Sequence, residues 1–129
     1  EHVERIKQVL TPVAKGEIPR GFTMRDVKRF EGVSPCKISL PHTVGQKMVG
    51  ARMVVDVVFV KNNWSELYPL QEEYCAGEGV LAVGIYDNAV LHPGESTEIY
   101  IVRDKLHEER KRQMRTRPRL NENMFKRGN

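Results

Sequence analysis

The residues able to do chemistry are few, and their spacing suits it poorly. Gly45-Gln46-Lys47-Met48-Val49-Gly50-Ala51-Arg52 has the glycine spacing of a phosphate-binding loop. It lacks the Lys-Ser/Thr pair that would reach phosphate and magnesium, and it precedes an apolar strand pattern instead of following one. His107-Glu108 begins like a zinc-protease motif without the second histidine. His2, His42, His92 and His107 have no metal-ligand spacing, and each reads as a surface residue. Glu72-Glu73 are neighbours in a segment read as extended, where they would point to opposite faces, a poor geometry for shared acid–base work. Ser34, Ser39, Ser65 and Ser96 lack a nucleophile-elbow context. Asn63-Trp64-Ser65 is a formal glycosylation sequon, a pattern common by chance. The expectation is a protein with no catalytic residues, no metal and no cofactor.

Two other sets of side chains carry more information. Cys36 and Cys75 form neither a CxxC motif nor part of a zinc pattern. They can pair in an oxidising compartment, where closing so long a loop contributes roughly 4 kcal/mol, or they can be two separate buried thiols. The aromatic residues Trp64, Tyr68 and Tyr74 cluster with Leu70 around a segment broken by Pro69. A proline there favours an edge strand or bulge. Aromatic side chains at an edge suit a partner interface, and filling the core is the competing use. Trp64, Tyr68, Leu70 and Tyr74 are therefore the candidate partner-binding residues.

The elements that must position these residues are mainly β. Val3, Ile6, Val9, Leu10, Val13 and Ala14 recur at helical spacing, predicting an amphipathic helix within residues 1–16. Pro12 predicts a kink or restart with Thr11 as cap, and Gly16 a C-terminal stop. Short strands are predicted at Phe22–Val27 and Lys37–Leu40, with a turn-rich linker at Gly45–Gly50. Met53–Val60 is apolar on both faces and reads as a central strand. Leu67–Tyr74 is the predicted edge. Val80–Tyr86 should place Leu81, Val83 and Ile85 on one face. Pro93-Gly94 fits the middle of a type II turn. Thr97–Val102 should place Ile99 and Ile101 opposite Tyr100 and Val102. Several short strands separated by turns predict a β-sandwich-like domain.

Charge divides the chain at residue 104. Residues 105–129 carry nine Lys/Arg against three Asp/Glu, which leaves twelve against fourteen in residues 1–104. The body is thus −2 and the tail +6. Asp104 can cap a helix over Lys105–Arg115, and Leu120, Met124 and Phe125 fall near helical spacing beyond Pro118. The tail reads as a basic extension, partly helical or disordered. Arg110, Arg112, Arg115, Leu120, Met124 and Phe125 are candidate docking residues. No apolar run is long enough to cross a membrane as a helix, and no signal peptide is visible; the chain opens within a helical pattern, as a fragment of a longer precursor would.

Three blocks resemble, in order and spacing, the C-terminal part of the TraK family, secretin-like proteins of F-type conjugation systems. They are Val9–Phe22, with its Gly-x-x-Pro-x-Gly-aromatic turn; Met53–Asn62; and Tyr74–Asp104, with the core GVLAVGIYDNAVLHPGESTEIYIVRD. The resemblance implies a structural subunit of the outer-membrane core complex of a conjugative type IV secretion system. It implies a periplasmic, outer-membrane-associated location in a Gram-negative bacterium, ring self-association, a TraV-like lipoprotein partner and a TraB-like channel protein. It also implies an oxidising compartment in which Cys36 and Cys75 can pair. The basic tail departs from the family pattern. A function of a different class is nucleic-acid binding by Arg110, Lys111, Arg112, Arg115, Arg117 and Arg119. Apart from Phe125 the tail offers no aromatic platform for single strands.

Overall fold

A computed structural model describes residues 2–27, 35–87 and 89–107, together with residues 117 and 120. Among these residues a helix, α1 (His2–Ala14), precedes seven strands: β1 (Thr23–Asp26), β2 (His42–Val49), β3 (Met53–Lys61), β4 (Tyr68–Pro69), β5 (Val80–Ile85), β6 (Val90–Leu91) and β7 (Ser96–Asp104). Five form one antiparallel sheet in the order β1-β2-β3-β7-β5, and β4 and β6 pair as a separate ribbon. The fold is mainly β, as the patterning predicts. The second β layer of the expected sandwich is the two-stranded ribbon.

The centre of the sheet follows from its composition. β3 has valine at five of its nine positions, and all five are buried because both of its faces are covered. Val55, Val57, Tyr100 and Val102 face α1, packed against Val9 and Val13. Val58, Val60, Ile99 and Ile101 face the other way, against Leu40, Leu70, Leu91 and the two cysteines. Each large apolar side chain taken from water contributes roughly 1.5–3 kcal/mol, and β3 and β7 bury more of them than any other pair of elements.

α1 continues through Pro12 to Ala14 without restarting. The apolar stripe docked on the sheet keeps the last turn helical despite the missing N–H. Gly16, at φ 80°, then ends it: its N–H donates to the Val13 carbonyl at 3.0 Å, and that of Glu17 to the Pro12 carbonyl at 2.9 Å. This is the Schellman arrangement, which needs a left-handed residue at the position of Gly16.

Four expectations are corrected. Gly45–Gly50 is not a linker: residues 45–49 belong to β2, whose register slips between Val44 and Gln46. That bulge puts Val44 and Met48 on opposite faces and hides the two-residue period. Lys37–Leu40 forms no strand; Lys37 N–H donates to the Tyr74 carbonyl, while Ile38 and Leu40 pack into the core. Leu67–Tyr74 contributes only the two residues of β4 before a 3-10 turn at Glu72–Cys75, so it is no edge of the main sheet. A second bulge, between Val80 and Ala82, turns Leu81 to the α1 face, away from Val83 and Ile85.

Candidate partner-binding surfaces

The aromatic cluster is built by one buried asparagine. Asn62, fully buried at the end of β3, donates through Nδ2 to the carbonyls of Glu66 at 2.8 Å and Leu91 at 2.9 Å. Its Oδ1 accepts the Trp64 N–H at 2.8 Å. These bonds fold residues 62–66 tightly and hold Trp64 out at 44% exposure. The Trp64 ring meets Tyr68 edge-on, with centroids 5.1 Å apart, and the Tyr68 hydroxyl accepts the Ser39 N–H. Leu70 lies beneath, buried in the core, and cannot reach a partner from there. Tyr74 is half-buried beside Cys75, its carbonyl taken by Lys37. Of the four residues the sequence groups together, only Trp64 and Tyr68 share a surface contact.

The open edge of the sheet is elsewhere. β7 inserts between β3 and β5, which leaves β5 and β1 outermost. Tyr86 N–H donates to the Glu98 carbonyl, so alternate residues of β5 bond to β7. Val83 and Ile85 accordingly turn their own N–H and C=O groups outward. No described strand pairs with that side. Glu72, Glu73 and Ala76 flank the edge and, with Val80–Val83, line a shallow cleft of about 230 Å3. The two glutamates sit in the 3-10 turn and line one cleft, where an extended segment would have split them. The sequence does not mark β5 as an edge, because its apolar run looks like a central strand.

Cys36 and Cys75 form a disulfide. It ties the segment before β2 to the 3-10 turn flanking the β5 edge. The charged groups that are buried serve the sheet. Asp56 accepts the Arg103 Nε–H at 2.7 Å, and the Lys47 ammonium lies 3.4 Å from its other oxygen, at an angle that makes an ion pair and not a hydrogen bond. His42 lies between two carbonyls, with Nδ1 2.8 Å from that of Leu40 and Nε2 3.1 Å from that of Cys36. Burial, with a hydrogen bond to Glu98, raises the Tyr100 phenol above the ordinary tyrosine value. Among the described residues no three His, Cys, Asp or Glu side chains are grouped to hold a metal ion, and no helix is long and apolar enough to cross a membrane.

Asp104 caps the next turn as expected, its Oδ1 accepting the Leu106 N–H at 3.0 Å. Leu120 is exposed. Arg110, Arg112, Arg115, Met124 and Phe125 lie outside the described residues.

Two comparisons bear on what these surfaces belong to. The family model of the TraK C-terminal domain matches residues 1–103. A type 3 secretion system secretin of Pseudomonas syringae pv. syringae is 31% identical over 100 residues, covering 74% of this chain. The matched stretch is 14% of that secretin's length, so the chain spans a small part of it. The chain belongs to the TraK C-terminal domain family.

Proposed function

We propose that this TraK-type domain is a structural assembly module of a conjugative type IV secretion system, and that it holds a segment of a TraV-like lipoprotein along β5. The observation that carries the reading is the open edge: Val83 and Ile85 present backbone groups that no described strand pairs, beside a cleft that Val80–Val83 line together with Glu72 and Glu73. An added strand would take main-chain hydrogen bonds from them and seat alternate side chains against Leu81 and Ala82. Trp64 and Tyr68 offer a second, side-chain contact on the disulfide-covered face. The disulfide supports a periplasmic setting, since such bonds persist in oxidising compartments. In the assembled channel the lipoprotein would join this domain to the outer membrane. A TraB-like channel protein and further copies of the full-length subunit would complete a ring.

The test is the affinity of the full chain for its cognate TraV-like lipoprotein. Val83→Pro removes an outward N–H at an edge position where proline is tolerated. Binding should weaken at least tenfold, with the far-UV spectrum unchanged. Unaltered binding by Val83→Pro, with loss in Trp64→Ala and Tyr68→Ala, would move the contact to the aromatic pair. Unaltered binding in all three variants would refute both contacts.

A further inference from the structure

A cavity of about 530 Å3 lies at the opposite side of the sheet, beside the hairpin turn between β2 and β3. Three separate segments build it. α1 contributes Arg5 and Val9, one turn apart on one face. The turn after α1 contributes Pro19, Arg20 and Phe22. Its tip is closed by the Phe22 N–H donating to the Pro19 carbonyl at 3.1 Å, with Gly21 at φ 85°. The β2–β3 turn contributes Arg52. Its conformation is fixed from outside: the Lys105 N–H donates to the Arg52 carbonyl, and the Lys105 ammonium to the Gly50 carbonyl, both at 3.0 Å. The Phe22 ring lies so close to Gly50 that a methyl there would stand 2.7 Å from it.

The result is an apolar floor under a cationic rim. Val9, Pro19 and Met53 are buried and Phe22 half-buried, whereas Arg5, Arg20 and Arg52 are exposed. No carboxylate lines the cavity, and none of the three guanidiniums has an ion-pair or hydrogen-bond partner among the described residues. Residues 1–104 carry a net −2, so three unpaired arginines around one hollow are a local concentration against the charge of the body. Their positions are 5, 20 and 52, so the fold, not a charge run, assembles them.

We infer that this cavity binds an acidic polypeptide segment, with one bulky apolar side chain inserted onto the floor and flanking carboxylates meeting Arg5, Arg20 and Arg52. Charge complementarity argues for this occupant. Guanidiniums pair with carboxylates in a planar, two-point geometry, and a recessed apolar floor takes a side chain and excludes water from the pairs. A bilayer surface would meet the rim and leave the floor unfilled. The site lies on the α1-covered face and is independent of the lipoprotein contact proposed for β5.

The probe is a blocked pentapeptide with a central phenylalanine and two acidic residues on each side. Two control peptides replace the acidic residues by lysine or the phenylalanine by glycine. Binding to the full chain is followed by 15N amide shifts. The acidic peptide should shift Val9, Phe22, Arg52 and Met53, and both controls should bind at least tenfold more weakly. Raising salt from about 50 to about 500 mM should weaken binding several-fold. The triple variant Arg5→Ser, Arg20→Ser, Arg52→Ser should lose at least tenfold in affinity at an unchanged melting temperature, because all three side chains are exposed. The inference is overturned if these amides do not move at millimolar peptide, if the lysine peptide binds equally, or if the triple variant binds as before. It is also overturned if phosphatidylglycerol vesicles or decathymidylate bind in an arginine-dependent way where the acidic peptide does not.

Discussion

One face of the central sheet is covered by a helix and the other by loops, and the two covers are fastened by different physics. α1 satisfies its backbone internally, so it needs only an apolar stripe to dock: Val9 and Val13, with Ile6 and Leu10 beside them. No side-chain hydrogen bond joins α1 to the sheet among the described residues. The opposite cover consists of residues 35–41, the 3-10 turn and the β4–β6 ribbon, whose backbone groups have few regular partners. A loop packed over a core must have its polar groups answered individually. Asn62, His42 and the Tyr68 hydroxyl do this, and the disulfide adds a covalent tie. A regular element can be held by burial alone, while an irregular one needs specific fasteners.

The sharpest way to break this comparison is to cut the covalent fastener. The Cys36–Cys75 bond spans a sequence separation of 39, for which loop-closure entropy gives about 4 kcal/mol. The double variant Cys36→Ala, Cys75→Ala should lose about that much in urea unfolding. Hydrogen exchange should show where the loss begins. Amides around Ser39 and Tyr74 should lose protection first, with those of Val9 and Val13 following only on global unfolding. Simultaneous loss on both faces would mean that the two covers form one cooperative unit and that the contrast has no energetic content.

The second fastener is polar. Asn62→Ala leaves the Glu66 and Leu91 carbonyls without their donor and the Trp64 N–H without its acceptor. Leaving such buried groups unsatisfied should destabilise the domain by roughly 3 kcal/mol, read in the same unfolding experiment. Asn62→Asp sharpens the test, since it keeps the acceptor and removes the donor. The Trp64 fluorescence maximum should then stay close to wild type in Asn62→Asp and move to the red in Asn62→Ala. Identical spectra in the two variants would show that Trp64 is held by packing and not by Oδ1.

The same contrast explains what was legible in the sequence. α1, β3 and β7 are visible because each carries its periodicity within itself, and Ile99 and Ile101 fall opposite Tyr100 and Val102 as the alternation requires. β2 is invisible because a bulge at Gly45 breaks the alternation and because its hydrogen bonds come from β1 and β3. Leu81 departs from the face its alternation predicts for the same reason, a bulge. The edge position of β5 depends on β7 entering the sheet last along the chain, an event no local window contains. Trp64 and Tyr68 share a surface contact, as their side-chain types suggest, but Leu70 has the same sequence neighbourhood and lies in the core. The arginine-rimmed cavity has no linear signature, since its three cations come from three elements.

The smallest fastener is charged and exposed, and it sets the lower end of the comparison. Gly94 N–H donates to the Asn62 carbonyl and Asn62 N–H to the Glu95 carbonyl, both at 2.8 Å, so the Pro93-Gly94 turn is anchored on the asparagine. Within that turn the Glu95 carboxylate accepts the His92 backbone N–H at 2.7 Å and lies 3.0 Å from the His92 ring nitrogen. Both contacts, the backbone one foremost, hold the Glu95 carboxyl below its ordinary value. A folded value lower than the unfolded one means that the contribution is complete above the ordinary glutamate range and is lost as pH falls through the folded value. A carbon-detected NMR titration should place the Glu95 midpoint below that of an unstructured glutamate near about 4.3. Because the side chain is exposed and screened, Glu95→Gln should shift the melting temperature less than either preceding change. If it destabilises as much as Asn62→Ala, the turn holds the asparagine in place, and the order of dependence among the fasteners on this face is reversed.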